Sequence, residues 1–116
     1  MFTVFGFLTK KDGLSMQEFI DHYENKHVQL ICDFAPAPLV YKRRYLAPND
    51  RLTSEGGEVD FHVMTELVFA NRSDFEAWMA ELAKPEVGAR IVADEEKFLD
   101  RTRTRAYVID ERVKRE

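Results

Sequence analysis

Phe2-Thr3-Val4-Phe5-Gly6-Phe7-Leu8-Thr9, then Lys10-Lys11-Asp12-Gly13-Leu14, then Ser15-Met16-Gln17-Glu18-Phe19: these eighteen residues decide the fold. The first eight are almost all apolar or β-branched, which reads as a strand buried on both faces. Asp12-Gly13 supplies a turn. Ser15 and Glu18 have the spacing of a capping box, so a helix starts at Ser15. A strand, a turn and a capped helix make the first half of a βα unit.

Downstream, Met16, Phe19, Tyr23, His27, Leu30 and Ile31 fall at helical spacing and form one stripe. The helix must stop before Pro36, because proline disfavours α geometry at the residue before it. Leu39 to Leu46 reads as a second strand, with Tyr41, Arg43 and Tyr45 on one face. Ala47 to Asp60 is a long polar loop holding Pro48, Asn49, Asp50, Gly56 and Gly57. Phe61 to Phe69 reads as a third strand; Phe61, Val63, Leu67 and Phe69 share one face, and His62, Met64 and Glu66 the other. Ser73 and Glu76 repeat the capping-box spacing before Phe75, Trp78, Met79 and Leu82. A further helix is expected from about Glu86 to Phe98, after Pro85, and a fourth strand from Arg103 to Asp110, before a charged tail.

The order is β-α-β-β-α-β, the ferredoxin-like split βαβ pattern of an α+β domain. Residues 1–116 form one such domain. Its four antiparallel strands put helices on one face only. A short chain with apolar residues on the bare face is expected to cover it by pairing two sheets into a homodimer.

Charge and composition exclude several functions. The formal net charge is −4, which disfavours nucleic-acid binding through phosphate neutralisation. No apolar run approaches the ~20 residues of a membrane span. The apolar N-terminus lacks a basic leader and a cleavage site. With Cys32 the sole cysteine, no internal disulfide forms, so a cytoplasmic, reduced protein is expected. Cys32 itself reads as a small buried residue. No phosphate-binding glycine motif and no Cys/His cluster occurs, so neither a nucleotide nor a metal cofactor is expected.

Candidate chemistry centres on His27. It follows Phe19 by eight residues and Tyr23 by four, so it faces the core side of its helix. An imidazole there can act as general acid or base, although a hydrogen-bonded core histidine has the same spacing. His22 is five positions before His27, about 140° round a helix turning ~100° per residue, and is expected on the surface. A buried Arg43 needs an acidic partner or an anionic ligand. His62 is expected at the dimer interface, or else near His27. Asp100 either pairs with a His or Arg or closes a turn. The Asp94-Glu95-Glu96 run reads as a solvated helix face.

The stretch Lys10 to Phe19, followed by His22-Tyr23 and His27, resembles the signature of the EthD family of dimeric α/β-barrel proteins. Asp94-Glu95-Glu96-Lys97-Phe98-Leu99-Asp100 is similar to that family's segment before the last strand. Val28-Gln29-Leu30 departs from it, where relatives carry a Gly-Pro-Leu type sequence. The resemblance implies a ferredoxin-like monomer, a homodimer, and a pocket between sheet and helices with His27 at its edge. Such proteins include accessory proteins of ether degradation and fungal polyketide enzymes that dehydrate or decarboxylate without a cofactor. Related barrels catalyse cyclisations, isomerisations and oxygenations, so the fold does not choose the reaction.

The resulting expectation is a cofactor-independent lyase or isomerase on a small aromatic or polyketide-like substrate. His27 would move the proton. Tyr23, Tyr41 or Tyr45 would hydrogen-bond a phenol or ketone oxygen, and Arg43 would hold an anionic group. Phe19, Trp78, His62 and Asp100 complete the expected substrate contacts, in an aromatic-rich lining suited to a flat ligand. A binding protein without catalysis and a cofactor-free monooxygenase are the alternatives.

Overall fold

The computed structural model describes residues 1–47, 49–52 and 57–114. Within them lie β1 (Phe2–Leu8), α1 (Met16–His22), a π-helical segment (Tyr23–His27), α2 (Val28–Phe34), β2 (Val40–Tyr45), β3 (Val63–Phe69), α3 (Arg72–Leu82), α4 (Pro85–Phe98), a 3₁₀ turn (Arg101–Arg103) and β4 (Arg105–Ile109). The sheet order is β2-β3-β1-β4 and every pairing is antiparallel. This is the α+β, ferredoxin-like arrangement expected from the sequence.

The local signals account for most of the boundaries. Gly13 turns the chain with φ of 92°, a conformation glycine adopts without penalty. Ser15 then caps α1. Its hydroxyl accepts from the Glu18 backbone N–H, and the Ser15 N–H donates to the Glu18 carboxylate, completing the box. Pro85 occupies the first turn of α4, where its missing N–H costs nothing. The helix with the expected Ser73 cap begins earlier. Asn71 is the cap, its side-chain oxygen accepting from the Asp74 N–H, and Glu76 instead pairs with Arg72. Asn71 and Asp74 have the same spacing as Ser73 and Glu76, and asparagine caps a helix as well as serine does. Pro48 and Gly56 lie outside the described residues.

Register assigns the two sheet faces. Thr65 touches the helices, and it opposes Gly6 on β1 and Arg43 on β2. The helix face therefore carries Val4, Leu8, Tyr41, Arg43, Tyr45, Val63, Leu67 and Phe69. Thr3, Phe5, Phe7, Met64, Val68, Tyr107 and Ile109 lie on the open face. Phe61 and His62 break the alternation, because they precede β3 in a bend. Phe61 packs edge-on to Phe7, at 4.9 Å between centroids, on the open face. His62 turns toward the helices, 6.1 Å from Phe19. Both positions reverse the expected ones.

Phe19, Tyr23, Val63, Phe98 and Leu99 form the buried centre between helices and sheet. Cys32, expected inside, is exposed on α2. No helix among the described residues is long and apolar enough to cross a membrane.

Phe98 is fully buried and its ring contacts those of Phe19, His22, Tyr23 and His27. Phe98→Ala should cost about 3–5 kcal/mol of unfolding free energy, the usual loss for a deleted core ring. Denaturant titration measures it, and a loss below about 1 kcal/mol would mean that α4 is not anchored through this ring.

Candidate functional site

The site is made by a change of helical pitch. After α1 the chain widens, and the Val28 N–H donates to the Tyr23 carbonyl five residues back. Such a π turn stacks residues five apart, where an α-helix would separate them by about 140°. His22 and His27 therefore point the same way, and His22 is not the surface residue that α-helical spacing predicts. Both reach one carboxylate on α4. His22 Nε2 lies 3.0 Å from Asp94 Oδ1, and His27 Nδ1 lies 3.0 Å from Asp94 Oδ2. The acidic run is thus no simple solvated face; the Asp94 side chain is only 14% exposed.

A carboxylate accepts hydrogen bonds and cannot donate them. Asp94 thereby selects the tautomers: His22 carries its proton on Nε2, and His27 carries its own on Nδ1. The lone pair of His27 falls on Nε2. Glu95 Oε2 stands 3.9 Å from that nitrogen, beyond hydrogen-bond range, and Glu95 Oε1 takes the Arg101 Nε–H. Around this network the His22 ring stacks on Phe98 at 4.6 Å, and Tyr23 lies 5.6 Å from His27. A shallow recess of about 270 Å³, with Leu30, Arg90 and Lys97 on its walls, opens over Asp94.

The sheet brings a second cluster up beside Tyr23. The Tyr23 hydroxyl is 2.7 Å from Thr65 Oγ1 and is buried, which pushes its pKa up. Burial likewise raises Tyr41, helped by the neighbouring Tyr23 hydroxyl. Burial raises Tyr45 too, and so does its hydrogen bond to Glu24. All three phenols are protonated donors at neutral pH. Arg43, read as a holder of anions, already has one. Its Nε and Nη2 make a fork to Glu24 at 2.9 and 2.7 Å, while Nη1 donates to the Tyr41 carbonyl at 2.7 Å. That fork holds the Glu24 carboxyl below its ordinary value. Besides Asp94, Glu24 is a site residue missed from the sequence. The rule that a buried arginine needs an acid required such a partner, but nothing local selects this one.

Four other candidates lie elsewhere. Trp78 lines a cavity of about 430 Å³ between α3 and the start of β2, with Phe69 and Leu39, and shares no lining residue with the Asp94 recess. Asp100 is a turn acid: it accepts from the Thr102 N–H and hydroxyl and caps the 3₁₀ turn. Phe19, with no exposed surface, is core and no wall of a pocket. His62 accepts the Lys10 N–H on Nδ1 at 2.9 Å, on the side of Phe19 near the end of β1. Among the described residues no cluster of three or more His, Cys, Asp or Glu is arranged to hold a metal ion.

Fold and site together define an α+β domain of ferredoxin-like topology with a carboxylate-linked histidine pair between its helices. The family model of the EthD domain matches residues 11–102, and the chain belongs to that family. A crystal structure of an EthD-family protein from Bacillus halodurans has the same fold. It is 20% identical, with a TM-score of 0.62, over 97% of this chain and 100% of that one. None of the curated proteins matches.

The Arg43–Glu24–Tyr45 cluster makes stability depend on pH. A depressed glutamate contributes fully above its ordinary value of 4.5 and loses its contribution as pH falls through the lowered one. Glu24→Gln should cost roughly 1–3 kcal/mol at pH 7, and the difference from wild type should shrink as pH falls below 4.5. Urea denaturation across that range tests this; a difference that stays constant to pH 3 would be against it.

Proposed function

We propose that this EthD-family chain is a cofactor-independent acid/base catalyst, a lyase or isomerase, for a small aromatic or polyketide-like substrate. The observation that carries the reading is the hydrogen bond from His27 Nδ1 to Asp94. It orients the imidazole and leaves Nε2 as the basic atom, the same division of labour by which a carboxylate supports a catalytic histidine in other folds. In a dehydration, Nε2 takes a proton from the carbon beside a carbonyl. The C–H electrons form the new double bond, and the hydroxyl leaves with a proton returned from Nε2. The imidazolium between these steps sits against Asp94 and near Glu95. The protonated Tyr41 suits a hydrogen bond to the carbonyl oxygen, whereas the Tyr45 hydroxyl is already given to Glu24.

A second reading, binding without turnover, is favoured by one observation. The roomy cavity beside Trp78 shares no lining with the histidine network. The two readings separate by experiment. The wild type, His27→Gln, Asp94→Asn and the surface control Gln29→Ala are given a panel of aromatic β-hydroxyketones and β-ketoacids. Under the catalytic reading His27→Gln and Asp94→Asn stay folded and lose ~10²–10⁴ in rate, while Gln29→Ala is unchanged. Ligand binding by the wild type without any turnover supports the accessory role instead. His27→Gln at full rate rules out the histidine mechanism.

The reading includes a homodimer joined through the open sheet faces. Phe5, Phe7, Met64, Val68, Tyr107 and Ile109 supply apolar surface, interrupted by the Glu66–Arg44 ion pair, that a second copy would cover. Sedimentation at micromolar concentration should give twice the chain mass, and Val68→Glu should give the monomer. A wild type that sediments as a stable monomer sinks the pairing.

A further inference from the structure

We propose that Lys10, Arg51, Arg103 and His62 form a binding site for a small organic carboxylate at the end of β1. Together with Asp12 and Glu58 they line a recess of about 260 Å³. The role of anion holder, which the sequence suggests for Arg43, is closed there by Glu24. Here, among the described residues, none of the three cations is paired with a carboxylate. Their anchors are backbone carbonyls. Arg103 Nη2 donates to the carbonyls of Val59 and Asp60 at 3.2 and 3.3 Å, Arg51 Nη1 to that of Gly57, and Lys10 Nζ to that of Lys11 at 3.4 Å. Carbonyls orient a guanidinium without neutralising it, and each arginine keeps further N–H donors for a fork on a carboxylate.

His62 completes the donor set. Its Nδ1 accepts the Lys10 backbone N–H, so the neutral ring carries its proton on Nε2 and is a donor. Burial holds its pKa below the ordinary 6.5, and the positive charges of Lys10 and Arg103 push the same way against a weaker pull from Glu58. The ring is therefore neutral at pH 7, in a field that favours negative charge. Among the described lining residues, three cations set against Asp12 and Glu58 leave one net positive charge. That balance suits a carboxylate monoanion better than a phosphate dianion.

The site is separate from the proposed acid/base site: it shares no lining residue with the recess over Asp94, and binding does not need His27. The probe is benzoate, with benzamide as its neutral isostere, followed through the His62 ring resonances of the whole chain. Benzoate should shift those resonances saturably and raise the His62 titration midpoint, since the bound anion offsets Lys10, Arg51 and Arg103. Lys10→Met should weaken binding roughly tenfold or more, as loss of a charged hydrogen bond does. Lys11→Met, whose amine reaches the Glu96 carbonyl instead, should not. Arg51→Gln repeats the test should Lys10→Met fail to fold. His27→Gln should bind benzoate normally, which separates failure of this site from failure of the catalytic reading. Benzamide binding as tightly as benzoate, equal effects of the two lysine variants, or displacement by inorganic phosphate at lower concentration each overturns the proposal.

Discussion

One carboxylate holds the helical layer in register. Asp94 projects from α4 and takes a hydrogen bond from each of two histidines on the first helical run, one at each oxygen. Those bonds exist only because that run contains a π turn. A regular helix would deliver His27 to the core and His22 to solvent, leaving Asp94 one partner. Hydrogen bonds to an ionised group are worth ~1.5–3 kcal/mol each, enough to hold a π turn, a conformation seen mostly as a single-turn bulge within helices. The dependence runs both ways. Without the turn Asp94 is half-satisfied in a place where it is only 14% exposed; without Asp94 neither imidazole has a fixed tautomer.

The fold was legible because its signals are local and repeat. The apolar run of β1, the alternation in β2, the Ser15–Glu18 box and the prolines at 36 and 85 each depend on a few neighbouring residues, and each agrees with the topology. The site was legible only in part, for the opposite reason. The π turn carries no proline or glycine to mark it, so spacing assigns His22 wrongly and hides Asp94 behind its acidic neighbours. His62 is misplaced by the bend before β3, which inverts the period-two rule where the strand has not yet begun. Arg43 is read only as needing negative charge if buried, and Glu24 meets that need across a layer and not along the chain.

The register of the sheet keeps the rest consistent. Tyr41, Arg43 and Tyr45 oppose Leu67, Thr65 and Val63 in turn. A slip of one residue would exchange that polar, aromatic row with Val40, Lys42 and Arg44. The slip would send the Tyr41 and Tyr45 rings to the open face and leave Glu24 without its fork. β2 is also an edge strand, and Arg43 Nη1 occupies the Tyr41 carbonyl. One side chain thus satisfies a helix carboxylate and blunts part of an exposed edge.

Two histidines of this chain stand in opposite electrostatic settings on either side of the Phe19 ring, and the contrast bears on what each can do. His27 touches Asp94 and has Glu95 nearby. His62 has Lys10 and Arg103 as its nearest charges of consequence. Carboxylates beside an imidazole stabilise the charged ring that a proton transfer must pass through. Cations oppose that ring and keep the imidazole neutral, as a donor to something negative. Environments that differ in this way assign the same residue type to separate tasks, as pairs of like groups commonly are in acid/base sites. The buried centre of Phe19 and Phe98 separates the two rings, so that distance leaves each histidine dominated by its nearest charges. The proton transfer proposed at one end and the anion binding proposed at the other are thus compatible within a chain of 116 residues.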